Sequence, residues 1–538
     1  MTAVALLLCA GALVNQLGYA PAATKVAVSA STTDTFDVLD QAGTSVLHGT
    51  ASRARSWEPS GEAVRLLDFS ALKAEGSYRI KSGDELSPPF SIARMPYREV
   101  NAAALKAYYF NRASTALPAQ FAGPYARAAG HPDMQVIVHA SAASPARPEG
   151  TIIASPKGWY DAGDYNKYVV NSGIATYTLL SAYEHFPAYF KQQHTNIPET
   201  GNGMPDILNE ALWNIEWLLT MQDPNDGGVY HKLTNLRFDG MVMPGEATTA
   251  RYVVQKTTAA TLDFAAVMAT ASRVYAPVNK PLAARMLASA QEEWNWAKAH
   301  PKVAYRQPPD VVTGEYGDND FTDEFTWAGA ELFIATGEHK YFHAMTARAA
   351  TVPTWDDVAS LAWMSLAFHR PPLGAARIEA LARSLVQAWK ASAYGVPMQH
   401  ADFVWGSNAV ALNQAMMLLH AYRINKQRDY LDAAQAAFDY VMGRNATGYS
   451  FVTGFGSKTP QHPHHRQSQA DAVAAPVPGF VVGGPQPGQQ DKGNCKMPYP
   501  SILAATSYLD EVCSYASNEV AINWNAPLVY VSAALDVY

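Results

Sequence analysis

Apolar and polar residues alternate with a period of two in short runs near the start of the chain, at 25–29, 35–39, 63–69, 77–80 and 90–92. Clusters of Gly, Ser, Asp and Pro separate them. Strands that bury one face read this way, and the spacing predicts a small β-sandwich of immunoglobulin type over 15–94. The pattern changes at Met95-Pro96-Tyr97. From Val100 the apolar positions follow the helical period to the C-terminus, so 97–538 is predicted to be all-α. The clearest helix follows Gly201-Asn202-Gly203, with Pro205 near its first turn. It sets Ile207, Leu208, Leu212, Ile215, Leu218 and Leu219 on one face and stops at Pro224 and the turn 225–228. Similar segments cover 259–275, 282–297, 323–336, 358–368, 377–391, 409–422, 430–442 and 526–537. With unequal loops and no fixed-period repeat, these predict antiparallel helix pairs closed into a toroid rather than a solenoid. Its loops then gather at one end to build a cleft.

Length and composition change this picture little. At 538 residues, 48% hydrophobic and 16% charged, the chain is a soluble globular protein of more than one core, and 12 Trp and 28 Tyr leave aromatic rings for ligand contact. A net charge of −7 gives no basic field, which excludes nucleic acid as a partner; a monomer is expected. The apolar run 4–14 is too short to insert in a membrane and lacks a basic flank. It is assigned as the remnant of a signal peptide, 1–14, with a first β-strand as the alternative, and implies a secreted or periplasmic protein. Cys9, Cys495 and Cys513 make no disulfide framework; the last two could pair in an exported protein or stay as free buried thiols.

Three stretches carry candidate chemistry. GWYDAGDYNKYVVNSG, from Gly158, sets Asp161 and Asp164 three residues apart. A carboxylate that activates water must be ionised near its target, and a second one can hold that water or tune its partner. Taken alone, the pair fits a capped turn, a calcium loop or a solvated surface equally well. YLDEVCSYASNEVAINWNAP, from Tyr508, places Glu519 between Tyr515 and Trp524, where partial desolvation suits a general acid; helix capping by Asn is the alternative. SFVTGFGSKTPQHPHHR, from Ser450, offers His464 and Arg466. Zinc typically needs four ligands and no Cys or acid is local, so hydrogen bonding to sugar hydroxyls is favoured over metal ligation, with loop packing as the structural alternative.

Together these stretches resemble glycoside hydrolase family 9, the cellulase family, and the likeness spans nearly the whole chain. Tyr508, Asp510, Tyr515, Glu519, Ala521, Asn525 and Ala526 fall on its C-terminal signature. Ser450, Val452, Thr453, Gly456, Lys458, Pro463, His464 and Arg466 fall on its histidine signature. Asn15-Gln16-Leu17-Gly18-Tyr19 is similar to the start of the immunoglobulin-like module of one branch. The resemblance implies an (α/α)6 barrel after an N-terminal β-sandwich, and an inverting hydrolase of β-1,4-linked glucans or their oligosaccharides. Glu519 would be the acid, Asp164 the base and Asp161 its helper. His464, Arg466 and Tyr515 would bind sugar, while Trp159, Trp405 and Trp524 are candidate stacking platforms, each with a core role as the alternative.

The resemblance also bears on metals. Relatives with this module hold zinc with two Cys and two His; here Ala113 and Gly130 replace the cysteines and only His131 and His139 remain, so no zinc is expected. The stretch 316–324 is similar to a calcium loop, with Asn319, Asp320, Asp323 and Glu324 as structural Ca2+ ligands and Asp356 completing the shell; an acidic helix cap is the alternative. Endo-action is the expected mode. Exo-release of glucose, cellobiose or glucosamine would require a blocked cleft, with 141–157 as the candidate blocker. A non-catalytic carbohydrate-binding protein and a polysaccharide lyase are the readings from other classes.

Overall fold

The computed structural model describes residues 11–538. At the N-terminus two sheets face each other. Val26–Ser29, Glu62–Asp68 and Arg55–Trp57 form one, with Glu62–Asp68 central. The other runs Ser45–Thr50, Thr35–Leu39, Gly76–Ser82, Glu85–Leu86, and Phe90–Ile92 pairs with Gly76–Ser82. Ala27 and Leu67 from the first meet Phe36, Ile80 and Phe90 from the second in one core around Tyr19. The strand Ser45–Thr50 escapes the sequence pattern because its side chains are mostly exposed on both faces. Of the expected signal-peptide remnant, residues 1–10 lie outside the described residues. Residues 11–14 belong to the sandwich: Ala12 and Val14 are buried, and Leu13 exchanges backbone hydrogen bonds with Val28 of 2.7 and 3.0 Å.

The remainder is a closed ring of helix pairs. Val169–His185, Thr258–Tyr275, Thr322–Thr336, Ala359–His369, Ser407–Asn425 and Ile522–Val537 form the inner ring, each packed on the next and the last on the first. Arg98–Phe110, Asp206–Met221, Lys280–Ala299, His339–Phe342, Pro371–Ala391 and Arg428–Val441 stand outside them. Burial on all sides explains why inner helices carry little amphipathic stripe; Val169–His185, buried at fifteen of its seventeen positions, shows none and went unread. Pro527, expected in a first turn, lies deeper, because the last helix begins at Ile522.

The helical part is not purely α. Ile152–Ile153, Val136–Val138, Tyr252–Val253, Lys232–Thr234 and Lys167–Tyr168 form a five-stranded sheet in that order. Its strands have two or three residues, too short for a period-two signal. It fixes the backbone directly after Asp164. The loops carrying Asp161, Tyr316, Trp355, Trp405 and Glu519, each a few residues before the N-terminus of an inner helix, come together in contact. Helix N-termini are partially positive, which favours carboxylates there.

Candidate active site

The turn 161–164 and the segment before the last helix are joined by backbone. Ile522 N–H donates to the Asp161 carbonyl (2.9 Å), and His464 N–H donates to the Asn518 carbonyl (2.9 Å). Gly163 lies between the elements: a Cβ there would meet the His464 carbonyl oxygen at 2.2 Å and Glu519 Oε1 at 3.2 Å. Only glycine permits this approach. Glu519 therefore stands against the very turn that carries the two aspartates.

The three carboxyls differ in environment. Asp161 is buried and accepts from Asn171 Nδ2 and Tyr316 OH, both at 2.7 Å; burial first, then the neighbouring Asp164, pushes its pKa up to about 8. Asp164 Oδ2 accepts from Asn166 Nδ2 (2.5 Å) and Tyr168 OH (3.1 Å), while its buried Oδ1 has no partner. Burial raises the Asp164 pKa and the Arg466 charge opposes that rise. Glu519, partly exposed, is held well above the ordinary carboxyl range by burial and by Asp164 and Asp161. One carboxyl kept protonated beside another with a free lone pair is the arrangement that acid–base chemistry on a water molecule requires.

The two long sequence patterns prove to be one structure. Asp510 accepts from the N–H groups of Gln461 (2.8 Å) and His462 (2.9 Å), and Tyr508 OH donates to Asn518 Oδ1 (2.6 Å). Asn518 Nδ2 in turn donates to the His462 carbonyl (2.7 Å), so the C-terminal stretch braces the histidine loop. His464 Nδ1 lies 2.6 Å from the Val512 carbonyl, which can only accept, so Nε2 is left to face the cleft. Arg466 gives Nη1 to the Gly163 carbonyl (2.7 Å) and Nε to the Asp239 carbonyl (3.0 Å), tying two cleft loops together.

Of the aromatic candidates, Trp405 is 42% exposed and its ring lies 5.5 Å from that of Tyr515, which is 5.9 Å from the His464 ring. Trp405 and Tyr515, tilted by 31°, form a shared apolar face, and the His464 ring meets Tyr515 edge-on at 69°. Trp159 does not belong to this face: it is fully buried, packed on Tyr108, with its segment paired to Arg112. Its indole Nε1–H turns inward to Glu210 Oε2 (3.4 Å), away from the cleft. Trp524 is buried too, against Gly406 and Gly483. Unread in the sequence were Tyr168, Asn166, Asn171 and Tyr316, whose partners lie too far away, or on too irregular a turn, to leave a spacing signal. Trp355, packed edge-on against Tyr316 at 5.0 Å, was likewise missed.

A second acidic group lies beneath the Tyr316 loop. Ligand atoms of Asp318, Asp323 and Glu324 lie within 4.8 Å of one another. Asp318 Oδ2, Asp323 Oδ1, Glu324 Oε2 and both oxygens of Asp263 are buried without a hydrogen-bond donor, and the nearest cation is Arg348, whose Nη1 lies 3.6 Å from Asp323 Oδ1. Burial and mutual repulsion push Asp263 and Glu324 well above the usual range. This donor set, all hard oxygen, fits a divalent cation. Asp320 and Asp356 do not join this group: Asp320 accepts from the N–H and hydroxyl of Thr322 in the turn before the helix and pairs with Arg348, and Asp356 is exposed and accepts from Thr354, while Asn319 is exposed. At the vanished zinc place, a Cβ on Gly130 would strike Pro244 at 2.5 Å. His131 meets Tyr160 OH (2.9 Å), while His139 lies beside Asp310.

Comparison with known proteins agrees with this geometry. The profile described as Glycosyl hydrolase family 9 matches residues 97–532, and that of the Cellulase N-terminal ig-like domain matches 12–87. A xyloglucan-specific endo-β-1,4-glucanase of Bacteroides ovatus is 42% identical, over 97% of this chain and 93% of its own. Endoglucanase D of Acetivibrio thermocellus is 33% identical, over 97% and 83%. A solved structure described as Bacteroides ovatus GH9 superimposes with a TM-score of 0.91 at 40% identity, covering 98% of each chain. With a catalytic barrel and an Ig-like module both matched, the chain is a glycoside hydrolase and belongs to glycosyl hydrolase family 9.

Proposed function

We propose that this enzyme is an inverting endo-β-1,4-glucanase. Water attacks the anomeric carbon and gives its proton to Asp164, the glycosidic C–O bond breaks, and Glu519 protonates the departing oxygen. Asp161 helps hold the water. Inversion needs the acid and base about 6.5–9.5 Å apart so that water fits between them and the sugar. The observation that carries this reading is the unpartnered, buried Asp164 Oδ1 on the turn that Glu519 abuts. Both named relatives are endo-acting by description. Segment 141–157 supports an open cleft: Arg147 engages Tyr230 and Asp223, Ser155 and Lys157 engage Thr220 and Glu216 of an outer helix, and none of these contacts reaches the carboxyls.

His464, Tyr515 and Trp405 bind the glucan, the rings stacking on pyranose faces. Arg466 orders the Gly163 turn and favours the charged form of Asp164. Asp318, Asp323 and Glu324, with Asp263 behind them, hold Ca2+, which neutralises the buried carboxylates and supplies no step of the reaction. Cys495 and Cys513 form a disulfide, which supports an exported protein, and no helix among the described residues is long and apolar enough to cross a membrane. The test is Glu519→Gln: turnover on cellohexaose should fall by about a hundred- to ten-thousandfold with binding retained. Unchanged turnover would remove Glu519 from the chemistry.

A further inference from the structure

Beside the carboxyls the cleft widens into an open cavity of about 520 Å³, within the size range of small-molecule sites. His464 and Tyr515 form its inner wall. The outer wall is the excursion 484–515, which leaves the barrel and returns just before Glu519. Two strips of that excursion line the cavity, at 494–497 and 511–513, and the Cys495–Cys513 disulfide ties them together. The excursion is anchored at further points. Asp491 accepts from Tyr499 OH (2.7 Å) and Ala516 N–H (2.6 Å), and Ala505 N–H donates to the Pro59 carbonyl (2.9 Å) of the sandwich. Opposite stands Met241, on the loop that Arg466 holds through the Asp239 carbonyl. Both walls are thus fixed by bonds that the cavity itself does not use.

Its lining is mixed in a particular way. Met241 (37% exposed) and Met497 (58% exposed) both line the cavity and present apolar thioethers into it. Methionine adapts its shape to an apolar face. Lys496 and Glu511 add a donor and an acceptor suited to hydroxyls. An unbranched glucan is a flat ribbon, for which the Trp405 and Tyr515 rings already provide a face, with the His464 ring edge-on beside them. A cavity beside that face suits a ring attached to the side of the ribbon, which brings one more apolar face and its own hydroxyls.

We propose that this disulfide-held cavity receives a glycosyl branch carried on the β-1,4-glucan backbone, and that Met241, Lys496 and Met497 are specificity-determining residues. The inference rests on the endo-glucanase reading above. Its test compares kcat/KM on a xylose-branched glucan oligosaccharide and on cellohexaose, for the native enzyme, Met497→Ala, Lys496→Ala and the Met241→Ala/Met497→Ala double variant. A methylene-scale loss of apolar contact is worth about tenfold or more. The double variant should lose at least that on the branched substrate, with cellohexaose changed less than about threefold. Titration of the branched and linear oligosaccharides into Glu519→Gln carrying Met497→Ala reads the same selectivity as binding. Because Met497 is exposed, that single change keeps the test valid if the double variant folds poorly. Equal losses on both substrates, or unchanged kinetics on both, overturn the branch site. So does a native enzyme that cleaves cellohexaose and refuses the branched chain, which leaves the glucanase reading standing. A native enzyme that cleaves neither removes that reading, and the branch site with it.

Discussion

Asp161 pairs both oxygens with donors and still has a pKa pushed up to about 8, because burial and the adjacent Asp164 disfavour its charge. For an acid raised in this way the folded state binds the extra proton between the unfolded value, about 3.9, and the folded one. Its contribution to stability is therefore greatest below the unfolded value and is lost as pH rises toward 8. Asp161→Asn should melt at a temperature closer to the native protein's near pH 4 than near pH 8, where it should gain stability on the order of a few kcal/mol, while losing turnover. Melting curves of both proteins across that range check this, and a difference independent of pH would contradict it. Activity follows different groups. Asp164 must be ionised and Glu519 protonated, so turnover is lost as pH falls through the first pKa and as it rises through the second, both being raised. At this scale the charged residues were legible because their motifs are local. Tyr316, 155 residues from Asp161, enters the sequence reading only as part of a calcium loop, since nothing in spacing announces a contact made by folding.

At the scale of elements, Thr258–Tyr275 of the inner ring and Lys280–Ala299 of the outer one lie within two residues of their expected bounds, whereas the inner Val169–His185, rich in β-branched and polar residues and buried all round, has no stripe to read. The acidic group repeats the lesson. The resemblance implies Asp320 and Asp356 as ligands, but Thr322 and Arg348 engage Asp320, and the acidic group is completed by Asp318 instead. A cation held by Asp318, Asp323 and Glu324 would tie the loop that carries Tyr316 to the helix Thr322–Thr336, and would offset the charge of the buried Asp263 on the neighbouring inner helix. Adding Ca2+ to chelator-treated enzyme should raise its melting temperature, by the equivalent of about 2.7 kcal/mol at a hundredfold excess over Kd. In Asp323→Asn the shift should vanish. Identical melting of native enzyme with and without Ca2+ would exclude the site.

Across the whole molecule, the sandwich is coupled to the catalytic loops. Gln16 Nε2 donates to the Gly448 carbonyl (2.8 Å), and its Oε1 accepts from the N–H groups of Ser457 (2.8 Å) and Lys458 (3.0 Å), a few residues before His464. Asn15 Nδ2 reaches Asp439 (2.8 Å), and Gly18, at φ 108°, lies too close to the Ser91 carbonyl for any Cβ. Gln16→Ala should destabilise by roughly 0.5–1.5 kcal/mol through the lost hydrogen bonds, and speed hydrogen exchange at Ser457 and Lys458. Unchanged exchange there would show the modules to be independent. The resemblance in sequence made the two-part architecture legible. The excursion 484–515 and its cavity were not, because a long irregular loop has no period, and its walls are joined by residues eighteen apart through a disulfide that two cysteines alone could not assign. The most direct measurement follows the anomeric configuration of products by NMR as the enzyme cuts cellohexaose. An inverting endo-enzyme releases the α-anomer first and cuts within the chain. The β-anomer as first product would contradict the roles of Asp164 and Glu519, and terminal monomer alone would contradict endo-action.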